Sequence, residues 1–262
     1  MPGNRITVFT KPWKMGLPEL ASFVRGLGFD GIELPVRPGY PVTPENVERG
    51  LPEAARILAE HGLTIESIAG PTDERTIAAC ADAGVRIIRI CVSFPREQPY
   101  REGERELRSR LEGLMPALER CGVTLGIQNH YGPNSVCNAG GLRSLLDGLP
   151  RAMVAAVWDA GHSGLEGEQP EMALDLVWPH LCMVNLKSAF WRRVNGPEEA
   201  QAAWEPYWTT GRHGRAEWPR VAAELKRRSF AGPICLTAEY TCEEAVDRLI
   251  VEDLALARSL FG

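Results

Sequence analysis

The 262-residue sequence has no C-x-x-C pair, no G-x-G-x-x-G loop after its first strand and no apolar run near the roughly 18 residues of a membrane-spanning helix. Each gap excludes a class. Seven cysteines (Cys80, Cys91, Cys121, Cys137, Cys182, Cys235 and Cys242) without paired spacing read as buried reduced thiols rather than a zinc cluster or disulfide framework. Positive charge is also short: 29 Lys and Arg face 34 Asp and Glu, a formal net charge of -5. Nucleic acid and anionic membrane both require a basic face, so neither is expected as a partner. The expected partner is a small solute, and the expected location is the cytoplasm. A homo-oligomer is compatible with the composition.

What is present is a repeated unit. With 44% hydrophobic residues the chain can fill one large core, so residues 1–262 read as a single domain. Short β-type runs fall at Ile6–Phe9, Gly31–Leu34, Thr64–Ala69, Val85–Val92, Val123–Ile127, Val154–Trp158, Leu181–Leu186 and Ile234–Ala238. Helical patterns separate them, opened for example by Thr43-Pro44-Glu45 and Thr72-Asp73-Glu74 and stopped near Gly28, Gly62, Gly84 and Gly122. Others are expected at Glu104–Arg120, Gly141–Leu149, Glu171–Val177, Trp218–Arg228 and Glu243–Leu260. Alternating β and α elements without hairpin signals give a parallel sheet. The first strand is followed by Thr10-Lys-Pro-Trp-Lys-Met-Gly16, which is no phosphate-binding loop, so a closed (β/α)8 TIM barrel is preferred to an open doubly wound sheet. The longest connection, about residues 188–217 after the seventh strand, is rich in Trp and Arg and reads as a functional loop or one with its own structure.

The active face of such a barrel lies at the carboxyl ends of its strands. Four ends carry polar groups: Gln128-Asn129-His130, Asp159 with His162, Asn185 with Lys187, and Glu239. Gln128, Asp159, Asn185 and Glu239 bring four oxygen donors toward one point. Such a set can hold a hard divalent cation, although amides are weaker ligands than carboxylate or imidazole. It equally accommodates amides that hydrogen-bond to substrate hydroxyls and neighbouring carboxylates with no metal. His130 and His162 are the candidates for proton transfer, joined by Glu239. Lys187 shares a strand side with Asn185 and can steady an oxyanion, or else pair with Asp159 or Glu239. Glu33, Asn129, Asn185, Trp191 and Arg193 are candidate substrate contacts. Glu33 reads equally as a buried partner of Lys11 or Arg89.

At these residues the chain resembles the xylose isomerase-like TIM-barrel superfamily of sugar phosphate isomerases and epimerases. The resemblance rests on Gly28-Phe-Asp-Gly-Ile-Glu33, Gly126-Ile-Gln-Asn-His130, Trp158-Asp-Ala-Gly-His162, Val184-Asn-Leu-Lys187 and Gly232-Pro-Ile-Cys-Leu-Thr-Ala-Glu239. It implies a divalent metal, Mn2+ or Mg2+ first and Co2+ or Zn2+ as alternatives, on a Glu, an Asp, a His and a Glu. Asp159 and Glu239 match that set, whereas Gln128 and Asn185 stand where Glu and His are expected. A two-glutamate epimerisation is thereby put in doubt, because Gln128 cannot act as a base. The implied function is isomerisation or epimerisation of a sugar, sugar phosphate or polyol. A lyase or dehydratase on a cyclic polyol or keto-inositol, and a non-catalytic sugar-binding or regulatory barrel, are the alternatives. The related DNA-repair endonucleases fit poorly, since their zinc cluster needs more than five histidines.

Overall fold

The computed structural model describes residues 4–262, and the first three residues of the expected domain lie outside the described residues. The elements run β1 (Ile6–Phe9), α1 (Leu17–Leu27), β2 (Gly31–Pro35), α2 (Val47–Glu60), β3 (Thr64–Ala69), α3 (Glu74–Asp82), β4 (Ile87–Cys91), α4 (Tyr100–Cys121) and β5 (Thr124–Gln128). Then follow α5 (Ala139–Leu146), β6 (Val154–Asp159), α6 (Ala160–Leu165), α7 (Pro170–Val177), β7 (Leu181–Leu186), β8 (Ser188–Arg193), β9 (Trp204–Thr209), α8 (Trp218–Arg227), β10 (Ile234–Leu236) and α9 (Val246–Phe261). Eight parallel strands close in the order β1-β10-β7-β6-β5-β4-β3-β2, which is a (β/α)8 barrel.

Closure divides the apolar side chains into two layers. The larger cluster lies between strands and helices and includes Leu20, Val24, Ile32, Leu58, Leu125, Trp158 and Trp218. Fully burying one such side chain contributes about 1.5–3 kcal/mol. The smaller cluster fills the barrel interior with Phe9, Ala69, Ile87, Val157, Met183 and Cys235. Two residues further along these strands the inward positions become Lys11, Arg89, Asp159, Asn185 and Thr237, so polarity begins one layer above the apolar plug. Gly126 allows this plug to close, because a Cβ there would meet Val157 Cγ2 at 2.6 Å.

Several boundaries differ from the sequence reading. Thr43 does not cap α2: its N–H donates to Asn46 Oδ1 (2.8 Å), making a turn that delays the helix to Val47. The α4 helix starts at Tyr100 rather than Glu104, its first turn held by edge-on packing of Tyr100 against Phe94 at 5.2 Å. The last barrel strand stops at Leu236, two residues short of the expected end, and Ala238 then takes φ +52. A helix absent from the sequence reading, α6, follows β6 directly because Asp159 caps it. The seven cysteines are all free, but only Cys80 and Cys235 are fully buried and Cys91 is exposed, which corrects the expectation of buried thiols.

The long connection carries its own structure. Strands β8 and β9 form an antiparallel ribbon in which Ala189 pairs with Trp208 and Phe190 with Tyr207. Its return strand is tied to the segment after β10: Trp208 N–H donates to Thr241 Oγ1 (2.8 Å), and Thr241 N–H donates to the Trp208 carbonyl (3.1 Å). The ribbon therefore forms one wall of the barrel mouth. Among the described residues no helix is long and apolar enough to cross a membrane.

Candidate active site

The parallel register brings side chains from seven strand ends into one line of hydrogen bonds and ion pairs across the mouth. Glu33 accepts from Arg89 Nε (2.6 Å), Arg89 Nη1 donates to Gln128 Oε1 (2.9 Å), and Gln128 Nε2 donates to Asp159 Oδ2 (2.6 Å). Lys187 Nζ lies 3.6 Å from the same Oδ2 and 2.8 Å from Glu239 Oε2. Lys11 Nζ closes the line at 2.8 Å from Glu239 Oε1. Buried charge is tolerated only when paired, and here three carboxylates alternate with three cations. The formal sum is zero.

These partners set the protonation states. Burial alone would raise the Glu239 carboxyl, but the Lys187 and Lys11 ammoniums override it and hold it well below the usual carboxylate range. Burial raises Asp159, against the pull of Lys187 and the His162 N–H. Burial would lower Lys187, yet the charges of Asp159 and Glu239 keep it above its ordinary value and protonated. Burial, reinforced by the Lys187 charge, lowers His130, and lowers His162 much further. Both imidazoles are neutral near pH 7.

Local backbone chemistry fixes each group. Asp159 Oδ1 accepts from the N–H groups of Gly161 (2.9 Å) and His162 (3.0 Å), the orphan donors of the α6 first turn. Gly161 is required there because a Cβ would meet Lys187 Cγ at 2.6 Å and its carbonyl oxygen at 3.0 Å. Trp218 Nε1 donates to that Lys187 carbonyl (3.2 Å). Glu239 is aimed by Ala238, whose left-handed backbone costs a non-glycine residue roughly 1–3 kcal/mol and is the kind of strain found at functional sites.

The two histidines face each other with ring centroids 4.1 Å apart. His130 Nδ1 lies 2.8 Å from the Tyr131 carbonyl, which only accepts, so Nδ1 carries the proton and Nε2 the lone pair. His162 Nδ1 accepts from the Tyr131 N–H (3.3 Å), so its proton sits on Nε2, which has no protein partner. A single residue after the fifth barrel strand, Tyr131, thus holds the pair in opposite tautomers.

These groups open on a cavity of about 630 Å³ lined by His130, Tyr131, His162, Lys187, Trp208 and Glu239, with Lys11 and Tyr240 at its side. Trp208 comes from the ribbon and stands 4.5 Å over the Lys187 ammonium and 5.1 Å from the His162 ring. In the sequence Trp208 is visible only as one of the tryptophans of the long connection, able to cover a sugar ring or a subunit contact, and Tyr131 has no role there. A single polar-aromatic residue in a long connection gives no signal of where its ring will fold. Lys11 and Arg89 were visible only as partners for Glu33, and Arg89 takes that place.

Other candidates lie elsewhere. Asn129 spends its amide on the Asp159 backbone, accepting from its N–H (2.7 Å) and donating to its carbonyl (3.1 Å), which makes it a brace between β5 and β6. Arg193 donates to Asn195 Oδ1 and the Gly196 carbonyl at the far end of the ribbon. Trp191 donates to the Leu165 carbonyl (3.0 Å) and packs edge-on against Tyr131 (6.0 Å), supporting the wall from behind. Glu33 is fully enclosed by Arg89 and Cys235.

Of the four side chains expected around a divalent metal, Gln128 and Asp159 meet directly and Asp159 and Glu239 are joined through Lys187, but their donors do not fit a metal as they stand. Arg89 can only donate and the Asp159 carboxylate can only accept, so the Gln128 amide is forced to turn its oxygen toward Arg89 and its NH2 inward. Both Glu239 oxygens face ammoniums. Only Asn185 keeps an oxygen without a partner. Among the described residues no three His, Cys, Asp or Glu side chains are grouped to hold a metal ion.

Solved structures share this architecture at low identity. An L-ribulose 3-epimerase matches at 16% identity and TM-score 0.75, covering 98% of this chain and 94% of its own. A D-psicose 3-epimerase from Clostridium cellulolyticum H10, solved with D-tagatose, matches at 12% and 0.72, covering 98% and 99%. A probable 3-DHS dehydratase from Bacillus anthracis matches at 12% and 0.73, covering 97% and 98%. No curated protein matches the chain in sequence. The family model described as xylose isomerase-like TIM barrel matches residues 21–260. The chain therefore belongs to the xylose isomerase-like TIM-barrel family.

Proposed function

We propose that the protein is an isomerase or epimerase that moves a proton at a carbon next to a carbonyl of a sugar, sugar phosphate or polyol. The observation that carries this reading is the meeting of two oppositely protonated imidazoles with a buried ammonium at one cavity. His130 Nε2, with its lone pair free, takes the proton from carbon. The electron pair moves onto the carbonyl oxygen, giving an enediolate. Lys187 has three N–H donors: one bonds Glu239 at 2.8 Å, Asp159 at 3.6 Å is held by charge alone, and a remaining N–H meets that oxygen. His162 Nε2–H is buried 3.9 Å from Asp159 Oδ2, so His162 backs the His130 ring rather than meeting the substrate oxygen. Return of the proton from His130 to the former carbonyl carbon, while the neighbouring hydroxyl proton passes to the oxygen held by Lys187, gives the isomer; return to the original carbon gives the epimer only after the enediolate turns its other face to His130. Trp208 and Tyr131 cover the apolar face of the ring and exclude water from the enediolate.

The divalent metal implied by the family enters no step, because the donors as arranged do not fit one. Similarity in fold to sugar epimerases supports the substrate class. The dehydratase neighbour supports a second reading, in which the same enolate expels a β-hydroxyl. The test is incubation with a panel of ketoses, aldoses and keto-polyols in D2O, followed by mass and NMR analysis. Deuterium at the carbon next to the carbonyl is expected with wild type, falling by about 100-fold or more in His130→Ala and Lys187→Met. Loss of water from the product would select the elimination reading. Binding without exchange or elimination would leave a sugar-binding barrel and remove the catalytic one.

A further inference from the structure

We infer that the Lys187 ammonium is this barrel's permanent cation, occupying the place between Asp159 and Glu239 that a divalent metal would take, and that the mouth binds no divalent ion tightly. The inference rests on charge and donor geometry rather than on catalysis, although it supplies the positive centre that the reading above requires. Lys187 Nζ sits 2.8 Å from Glu239 Oε2 and 3.6 Å from Asp159 Oδ2, and its position is fixed from three sides. The Trp208 ring covers it at 4.5 Å, Gly161 leaves room for its stem, and Trp218 holds its carbonyl.

The surrounding charges agree. Glu33, Asp159 and Glu239 are balanced by Arg89, Lys187 and Lys11, so a divalent ion added to the line would leave two uncompensated positive charges, with only the Lys11 end of the line exposed to solvent. The amide positions follow from the same logic. A carboxylate at residue 128 would complete a metal cradle, whereas Gln128 serves as a relay that accepts from Arg89 and donates to Asp159. The Gln128 amide and the Lys187 ammonium are therefore parts of one charge-balanced line, in which the cation belongs to the chain itself. Substrates suited to such a site offer one carbonyl oxygen to a single ammonium rather than two oxygens to a chelating metal. A monodentate keto-sugar or keto-polyol fits it better than a ligand that needs bidentate capture.

The test is calorimetric titration of MnCl2 into wild type purified without chelator, with elemental analysis of the same sample. Wild type is expected to carry no stoichiometric metal and to bind Mn2+ at least about 100-fold more weakly than Lys187→Met/Gln128→Glu, where an empty place faces three carboxylates. One equivalent of tightly held Mn2+ or another divalent ion in wild type would overturn the inference. So would a double variant with wild-type circular dichroism and a cooperative thermal transition that binds Mn2+ no better than wild type. The wild-type measurement stands even if the variant does not fold. Metal-free wild type that exchanges no substrate proton leaves this inference intact and removes the proposed reaction, so the two fail separately.

Discussion

His130 and His162, with ring centroids 4.1 Å apart and planes tilted by 41°, are held in opposite tautomers by the carbonyl and the N–H of Tyr131. Chemically identical side chains thereby acquire different tasks, one presenting a lone pair at Nε2 and the other a proton. Backbone groups do not titrate, so the asymmetry holds wherever both rings are neutral.

Nitrogen NMR tests this arrangement directly. In 15N-labelled protein near pH 7, long-range proton-nitrogen correlations should show His130 protonated at Nδ1 and His162 at Nε2. Identical tautomers, or rapid averaging at both rings, would remove the division of labour between them. Because burial and Lys187 lower both groups, the neutral pattern should persist below the ordinary histidine titration near pH 6.5, and further for His162 than for His130.

The Arg89–Glu33 pair should behave as a buried ion pair whose halves cannot be removed singly. Its 2.6 Å contact lies inside the barrel, with Arg89 7% and Glu33 0% exposed. Arg89→Met alone should cost about 3–5 kcal/mol in denaturant unfolding, because Glu33 is left charged and unpaired. Adding Glu33→Leu should recover much of that loss. Equal and additive costs for the two single changes would show that their charges are not coupled.

Asp253 should make stability depend on pH at a point remote from the proton-transfer groups. Burial raises its carboxyl to about 6, although the Gly211 N–H (2.8 Å) and the Tyr240 hydroxyl (2.8 Å) both donate to it. A folded-state value above the unfolded value of about 3.8 means that the native protein binds the proton more tightly. This contribution is therefore complete below about pH 4 and is lost as pH rises through 6. Asp253→Asn keeps the Gly211 bond at its oxygen, turns its NH2 to donate to the Tyr240 hydroxyl, and does not ionise. The variant should match wild type at pH 4 and exceed its stability at pH 8 by up to about 3 kcal/mol, read from unfolding curves at the two pH values. A difference that does not change with pH would contradict the assignment.

The barrel was legible because its cause is local and repeated. Apolar runs of strand length, helices stopped by glycines such as Gly28 and Gly122 in the left-handed region, and the missing phosphate loop all act within a few residues. The ends of the strands were legible for the same reason, since alternation places Gln128, Asp159 and Asn185 inward before any contact is known. The short helix after β6 was not, because D-A-G-H gives too few residues for a periodic signal and its start depends on the Asp159 cap.

What the sequence by itself determined is therefore the fold, the face that bears the site, and the presence of two amides among its four facing oxygen donors. Only tertiary structure decided what those amides do. The orientation of Gln128 depends on Arg89 from one strand and Asp159 from another, and the place of Lys187 depends on Glu239, Trp208 and Gly161 brought in from distant segments. Hydrogen-bond direction and charge balance are properties of groups in contact, and contacts across a closed barrel exist only once all eight strands are paired.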